Sequence, residues 1–211
     1  YKRQTGQKVF DWVIPKVWSI KDGYIEHESG KKFAHFKKNN LHIVGYSEPV
    51  NKTLSREKIQ EKIFSLKEQP DLIPYVTNYY QNSWGFCLAE NEKKNLPSGK
   101  YKAFINSKFS SGNLKIAEAF FKGKRKKEIF FSTYYCHPSM ANDNLSGLSV
   151  LNFIIKFIKK FKSLNYSYRF VMLPETIGSI AYLSKKHKQL QKNMICGFNS
   201  VSYTHLTLPT T

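Results

Sequence analysis

Cysteine is scarce in this 211-residue chain, and what there is does not pair: Cys87, Cys136 and Cys196 make no Cys-x-x-Cys unit and no even set. That argues against a disulfide framework or a structural zinc knuckle, and reduced thiols in a cytoplasmic protein are the expectation. Arginine is nearly missing too, standing only at Arg3, Arg56, Arg125 and Arg169. The formal charge of +19, from 34 basic against 15 acidic residues, is therefore almost all lysine, spread along the chain. A positive field of that size attracts nucleic acid or anionic membrane, but no recognised binding motif accompanies it, so no nucleic-acid partner is expected. The densest basic cluster, residues 122–127, lies between two strand-like runs and reads as a solvated hairpin turn. Long apolar runs are absent as well. The nearest candidate, 150–161, is interrupted by Asn152, Lys156, Lys159 and Lys160 and falls short of the roughly 18 to 20 residues of a membrane span. It reads as a core helix against a sheet, and no signal peptide is visible.

What is present is enough apolar content, 41%, for a core. From residue 8 to 50, short β-like runs are punctuated by Pro15, Asp22-Gly23, Gly30 and Pro49, which suits a small β-rich unit with Trp12, Trp18 and Tyr24 in its core. Ser55 opens a helix expected to reach Leu66, with Leu54 and Ile59 placed as a hydrophobic staple and Ile59, Ile63 and Leu66 as its apolar stripe. His27, His35 and His42 lack paired acidic spacing and read as structural or exposed. Residues 1–95 are thus expected to form a small β-rich domain with one helix. In 96–200, two strands (101–109 and 114–121) precede an alternation of strand, helix, strand, helix, strand at 128–136, 145–161, 166–173, 178–187 and 194–200. That alternation predicts an α/β fold, a mostly parallel or mixed sheet with flanking helices.

Chemistry is concentrated at two strand ends. The run Cys136-His137-Pro138-Ser139-Met140-Ala141-Asn142-Asp143-Asn144-Leu145-Ser146-Gly147 sets a thiol, an imidazole and a carboxylate between a strand and a helix, where ligands bind in open α/β sheets. His137 and Asp143 suit a divalent metal with an open position for water; equally, His137 could cap the strand and Asp143 the helix. The next buried strand ends in Pro174-Glu175-Thr176-Ile177-Gly178-Ser179, a second acidic strand end that could converge on the first.

With these motifs the chain resembles the zinc-dependent aminopeptidase-like proteins, in the bacterial branch found beside polysaccharide biosynthesis genes. The resemblance also takes in residues 10–25, 39–50, 73–80 and 84–87, which resemble the small domain inserted in that branch. It implies that Asp143 is a metal ligand followed by a cis peptide bond and that Glu175 is the general base; His137, the only imidazole near the motif, is read as a further ligand. It further implies zinc as cofactor and a peptide or amide as substrate. The chain departs from the pattern twice. Thr176 stands where the wider family has a second ligating Glu, and Tyr134 stands where the branch commonly has His.

Residues 201–211 (VSYTHLTLPTT) break the pattern and resemble the translation of a sequencing adapter, so that tail is expected to be artefactual and His205 not to be a ligand. Together with the non-Met first residue, this reads as an internal fragment of a longer hydrolase. A non-catalytic member of the fold, serving binding in surface-polysaccharide assembly, is the alternative that Thr176 favours.

Overall fold

The computed structural model describes residues 2–137 and 141–201. The expectation for the tail therefore lies outside the described residues, apart from Val201. Contacts divide the chain into Pro15–Ser111 and a second unit, made of the described residues within Tyr1–Ile14 and Gly112–Thr211.

In the first unit, β1 (Val17–His27), β2 (Lys32–Phe33), β3 (Val50–Ser55) and β4 (Lys100–Ser110) form an antiparallel sheet in the order β2-β1-β4-β3. Strand β4 shows the period-2 pattern of a half-buried strand: Tyr101, Ala103, Ile105 and Ser107 point inward and are buried. They pack with Ile25, Ile59, Phe86 and Leu88, which are likewise shielded from water. The 101–109 segment, read from sequence with the second half, thus belongs to this sheet, because both of its edges are taken by β1 and β3. The expected helix begins where predicted, with Ser55 Oγ accepting from the Lys58 N–H, but α1 (Arg56–Gln60) is short. Ile63-Phe64 leaves it to pair in parallel with Phe86-Cys87, which buries Ile63. Trp18 is packed on this core and donates from Nε1 to the Ser47 carbonyl. Trp12, expected in the core, lies on the surface of the other unit.

The second unit carries β5 (Ala117–Phe121), β6 (Glu128–Tyr134), α2 (Gly147–Ile158), β7 (Ser167–Leu173), α3 (Ile177–Asn193) and β8 (Met194–Asn199). The sheet order is β5-β7-β6-β8, with β7-β6-β8 parallel and β5 antiparallel to β7. The α/β mixed sheet is therefore the one expected. The basic segment 122–127 is not a hairpin, because β7 lies between β5 and β6.

Alternate residues of β7 serve the two faces. Phe170 faces α2 with Leu151 and Ile158, while Val171 and Leu173 face α3 with Ala181, Tyr182 and Leu190. On the α2 face, Phe198, Phe131 and Phe170 stack across three strands with centroids 5.1 and 4.9 Å apart, offset-stacking distances that add to their burial. On the α3 face, Arg169 bridges its two neighbouring strands. It donates to Glu128 from Nε (2.6 Å) and Nη2 (3.1 Å), and to Glu118 from Nη1 (2.5 Å). Tyr182 donates to the other Glu118 oxygen at 2.7 Å. Burial opposes the charge on Glu128, but the Arg169 bonds outweigh it and hold the carboxyl below its ordinary range.

Candidate active site

The register of the two central strands builds the site. Tyr134 of β6 is paired with Leu173 of β7, and the Tyr135 N–H donates to the Leu173 carbonyl at 3.0 Å, carrying the ladder one residue further. Parallel strands run on in step, so Cys136-His137 comes to lie beside Glu175. His137 Nε2 is 3.3 Å from Glu175 Oε2, Cys136 Sγ is 3.4 Å from His137 Nδ1, and the Glu175 backbone N–H donates to Cys136 Sγ at 3.4 Å. The His137 side chain is only 8% exposed, whereas that of Glu175 is 50% exposed and open to water.

Asp143 enters from the turn before α2. Its backbone (φ −103°, ψ 91°) is non-helical, and the peptide linking it to Asn144 is cis. It is not the helix cap: the N-cap is Ser146, which makes no side-chain capping bond. The Asp143 carboxylate instead accepts from the Tyr134 hydroxyl, and the Tyr134 ring meets His137 edge-on with centroids 5.5 Å apart. Tyr134, where the resembled branch has an imidazole, thus links the two candidate ligands.

The turn is riveted by Asn144, which is buried. Its Nδ2 donates to Thr133 Oγ1 (2.7 Å) and the Tyr134 carbonyl (3.1 Å), and its Oδ1 accepts from the Gly147 N–H (3.2 Å). Gly147 must be small here, since a Cβ would lie 2.5 Å from Asn144 Oδ1 and 2.6 Å from the Ser200 carbonyl oxygen. On the other side of the site, Thr176 has φ 54° and ψ −77°, a conformation that β-branched residues rarely take.

Electrostatically the site gathers negative charge. The Cys136 thiol is pushed up chiefly by burial and also by the Glu175 and Asp143 carboxylates, against a lowering contribution from the Glu175 N–H. The metal-binding atoms of Cys136, His137 and Glu175 all lie within 4.8 Å of one another. Imidazole, carboxylate and thiol are the donor types that suit zinc, so these residues fit a divalent cation. Asp143 stands outside that trio and joins it through Tyr134. The structure therefore brings His137 and Glu175 into direct contact and sets Asp143 one side chain away. Asn144 was not singled out from the sequence, although it belongs to the same motif, and Cys136 was noted only as a thiol beside the imidazole.

A family profile described as Domain of unknown function (DUF4910) covers residues 2–203. The chain belongs to that family. Over 194 residues, 92% of this DUF4910 chain, it is 44% identical to a Clostridium acetobutylicum protein provisionally named for polysaccharide biosynthesis and an aminopeptidase-like domain. It is also similar to a Clostridium acetobutylicum crystal structure provisionally named a peptidase, with 42% identity and a TM-score of 0.88 over 94% of this chain. The DUF4910 chain spans less than half of each, 44% and 47%. At 13% identity it shares the fold of a zinc aminopeptidase from Bacillus subtilis, with a TM-score of 0.58 over 94% of this chain and 57% of that one. At 11% identity it shares that of a peptidase M28 precursor from Shewanella amazonensis, also at 0.58, over 93% and 60%. The aminopeptidase-like fold is shown by these likenesses.

Proposed function

We propose that this chain carries part of the active site of a zinc-dependent hydrolase of the aminopeptidase type, acting on a peptide or amide bond. The observation that carries the reading is the meeting of His137 and Glu175, at 3.3 Å, on the carboxyl edge of the parallel strands. His137 and Asp143 would hold the cation, which when bound would polarise a carbonyl and acidify a water. Glu175 takes the proton of the attacking water. Its half-exposed carboxylate is open to solvent and lies 3.3 Å from the His137 ring nitrogen. The Tyr134 hydroxyl donates to the Asp143 carboxylate, and Asn144 fixes the backbone that presents it. The proteins named for aminopeptidase and polysaccharide roles support this reading for the intact protein.

Thr176 favours a second reading, a non-catalytic member that binds rather than cleaves, because it supplies no carboxylate at the strand end. The two separate in the intact protein assayed on a panel of aminoacyl amides. Glu175→Gln keeps the shape and removes the base, and a rate loss of about 10²- to 10⁴-fold is expected. A parent active on the panel whose Glu175→Gln variant keeps its full rate at equal metal content would rule out this base. A parent inactive on every amide would favour the binding role.

A further inference from the structure

We propose that Cys136 is a metal ligand, so that the site binds its cation through sulfur as well as nitrogen. This rests on the metal-hydrolase reading and adds a donor that the reading does not contain.

The geometry comes first. Two ligands on one tetrahedral zinc-sized ion, with metal–sulfur about 2.3 Å and metal–nitrogen about 2.0–2.1 Å, stand roughly 3.5 Å apart. Cys136 Sγ and His137 Nδ1 are 3.4 Å apart. A cation bound to Nδ1 leaves the proton on Nε2, which faces Glu175 Oε2 at 3.3 Å. A ligating histidine that donates its other N–H to a carboxylate is held in the tautomer and orientation that ligation needs. The two ring nitrogens are thus divided between a sulfur donor and an orienting acid.

The backbone supplies the second argument. The Glu175 N–H donates to Cys136 Sγ at 3.4 Å, so the sulfur already has a donor suited to a thiolate. Tyr135, next in the chain, is fixed by its N–H to the Leu173 carbonyl and by its hydroxyl to the Lys115 carbonyl at 2.5 Å. Cys136 therefore extends from a pinned strand end rather than a free loop. Neither of the other thiols is so placed: Cys87 is buried in the first unit and Cys196 is exposed on β8, and neither joins a group of donors among the described residues. On binding, the Sγ–H proton passes to solvent as the sulfur–metal bond forms.

Cobalt(II) is the probe, since thiolate ligation gives it an intense near-ultraviolet charge-transfer band. Titrating the chain with Co²⁺ should raise that band to a plateau at one equivalent. Cys136→Ser should abolish the band and weaken binding at least tenfold, whereas Cys196→Ser should leave both unchanged. In the unsubstituted chain, one equivalent of Zn²⁺ should protect Cys136, but not Cys196, from alkylation. Bound cobalt without the band, or a band that survives in Cys136→Ser, overturns the thiolate ligand and leaves the hydrolase reading standing. No cobalt binding at all also overturns the thiolate ligand, while the hydrolase reading is decided by the metal dependence of the intact protein.

Discussion

Removing Arg169 should expose how far the second unit depends on one guanidinium. Arg169 is 3% exposed and holds Glu128, 2% exposed, through two hydrogen bonds and Glu118 through a third. Arg169→Met preserves much of the volume beside Phe120, whose ring centroid lies 4.5 Å from the guanidinium carbon, but leaves a buried carboxylate without its cation. Deleting one partner of a buried pair costs about 3–5 kcal/mol, and for a chain of this size each kcal/mol lowers the melting temperature by about 2–4 °C. Arg169→Met should therefore melt about 6–20 °C lower at pH 7. Converting Glu128 and Glu118 to Gln in the same background should recover most of the loss, because the residual charge is then gone. The pH dependence has a fixed sign. Glu128 is held below its ordinary value of 4.5, so its contribution is present above that pH and is lost as the pH falls through the lower folded value. The gap between parent and Arg169→Met should then narrow in acid. A drop below about 1 kcal/mol at pH 7 in urea denaturation, or a gap that widens in acid, would refute the reasoning.

Other changes test other parts. Gly147→Ala forces a Cβ to 2.5 Å from Asn144 Oδ1 and should destabilise by about 1–3 kcal/mol; an unchanged urea midpoint would contradict the tight turn. Thr176→Gly relieves a positive φ that costs of order 1–3 kcal/mol, against a glycine entropy term of about 0.5–1 kcal/mol. A net gain near 1 kcal/mol is expected, and a clear loss would show that the Thr176 side chain holds something in place. Phe170→Ala removes the buried end of the aromatic row, where Phe170 stacks on Phe131, and should cost about 3–5 kcal/mol by thermal melting; a cost under 1 kcal/mol would mean the row does not organise this face.

Local chemistry made much of this legible. The strand–helix alternation after residue 128, the Ser55 cap and the convergence of His137 with Glu175 all follow from neighbours in sequence or from the rule that parallel strands end together. Long-range pairing did not. Nothing within 122–127 signals that β7 enters between β5 and β6, where its backbone pairs with both strands and Arg169 meets carboxylates 41 and 51 residues away. The stripe Ile59, Ile63, Leu66 fits a helix, yet Ile63 gains more by pairing its backbone beside Phe86 in a buried position. Asp143 could have been a cap or a ligand by spacing, and only the Tyr134 hydroxyl shows where its carboxylate turns. Asn144 escaped because its partners, Thr133, Tyr134 and Gly147, are assembled only by the fold.

The most direct test of the central claim is metal dependence in the intact protein. Stripped with a chelator and dialysed, it should lose amide hydrolysis and regain it on titration with zinc. His137→Ala and Asp143→Asn should bind zinc at least tenfold more weakly while their melting temperatures stay near the parent's. Hydrolysis that persists at full rate in the stripped protein, or zinc affinity unchanged in both variants, would contradict the account.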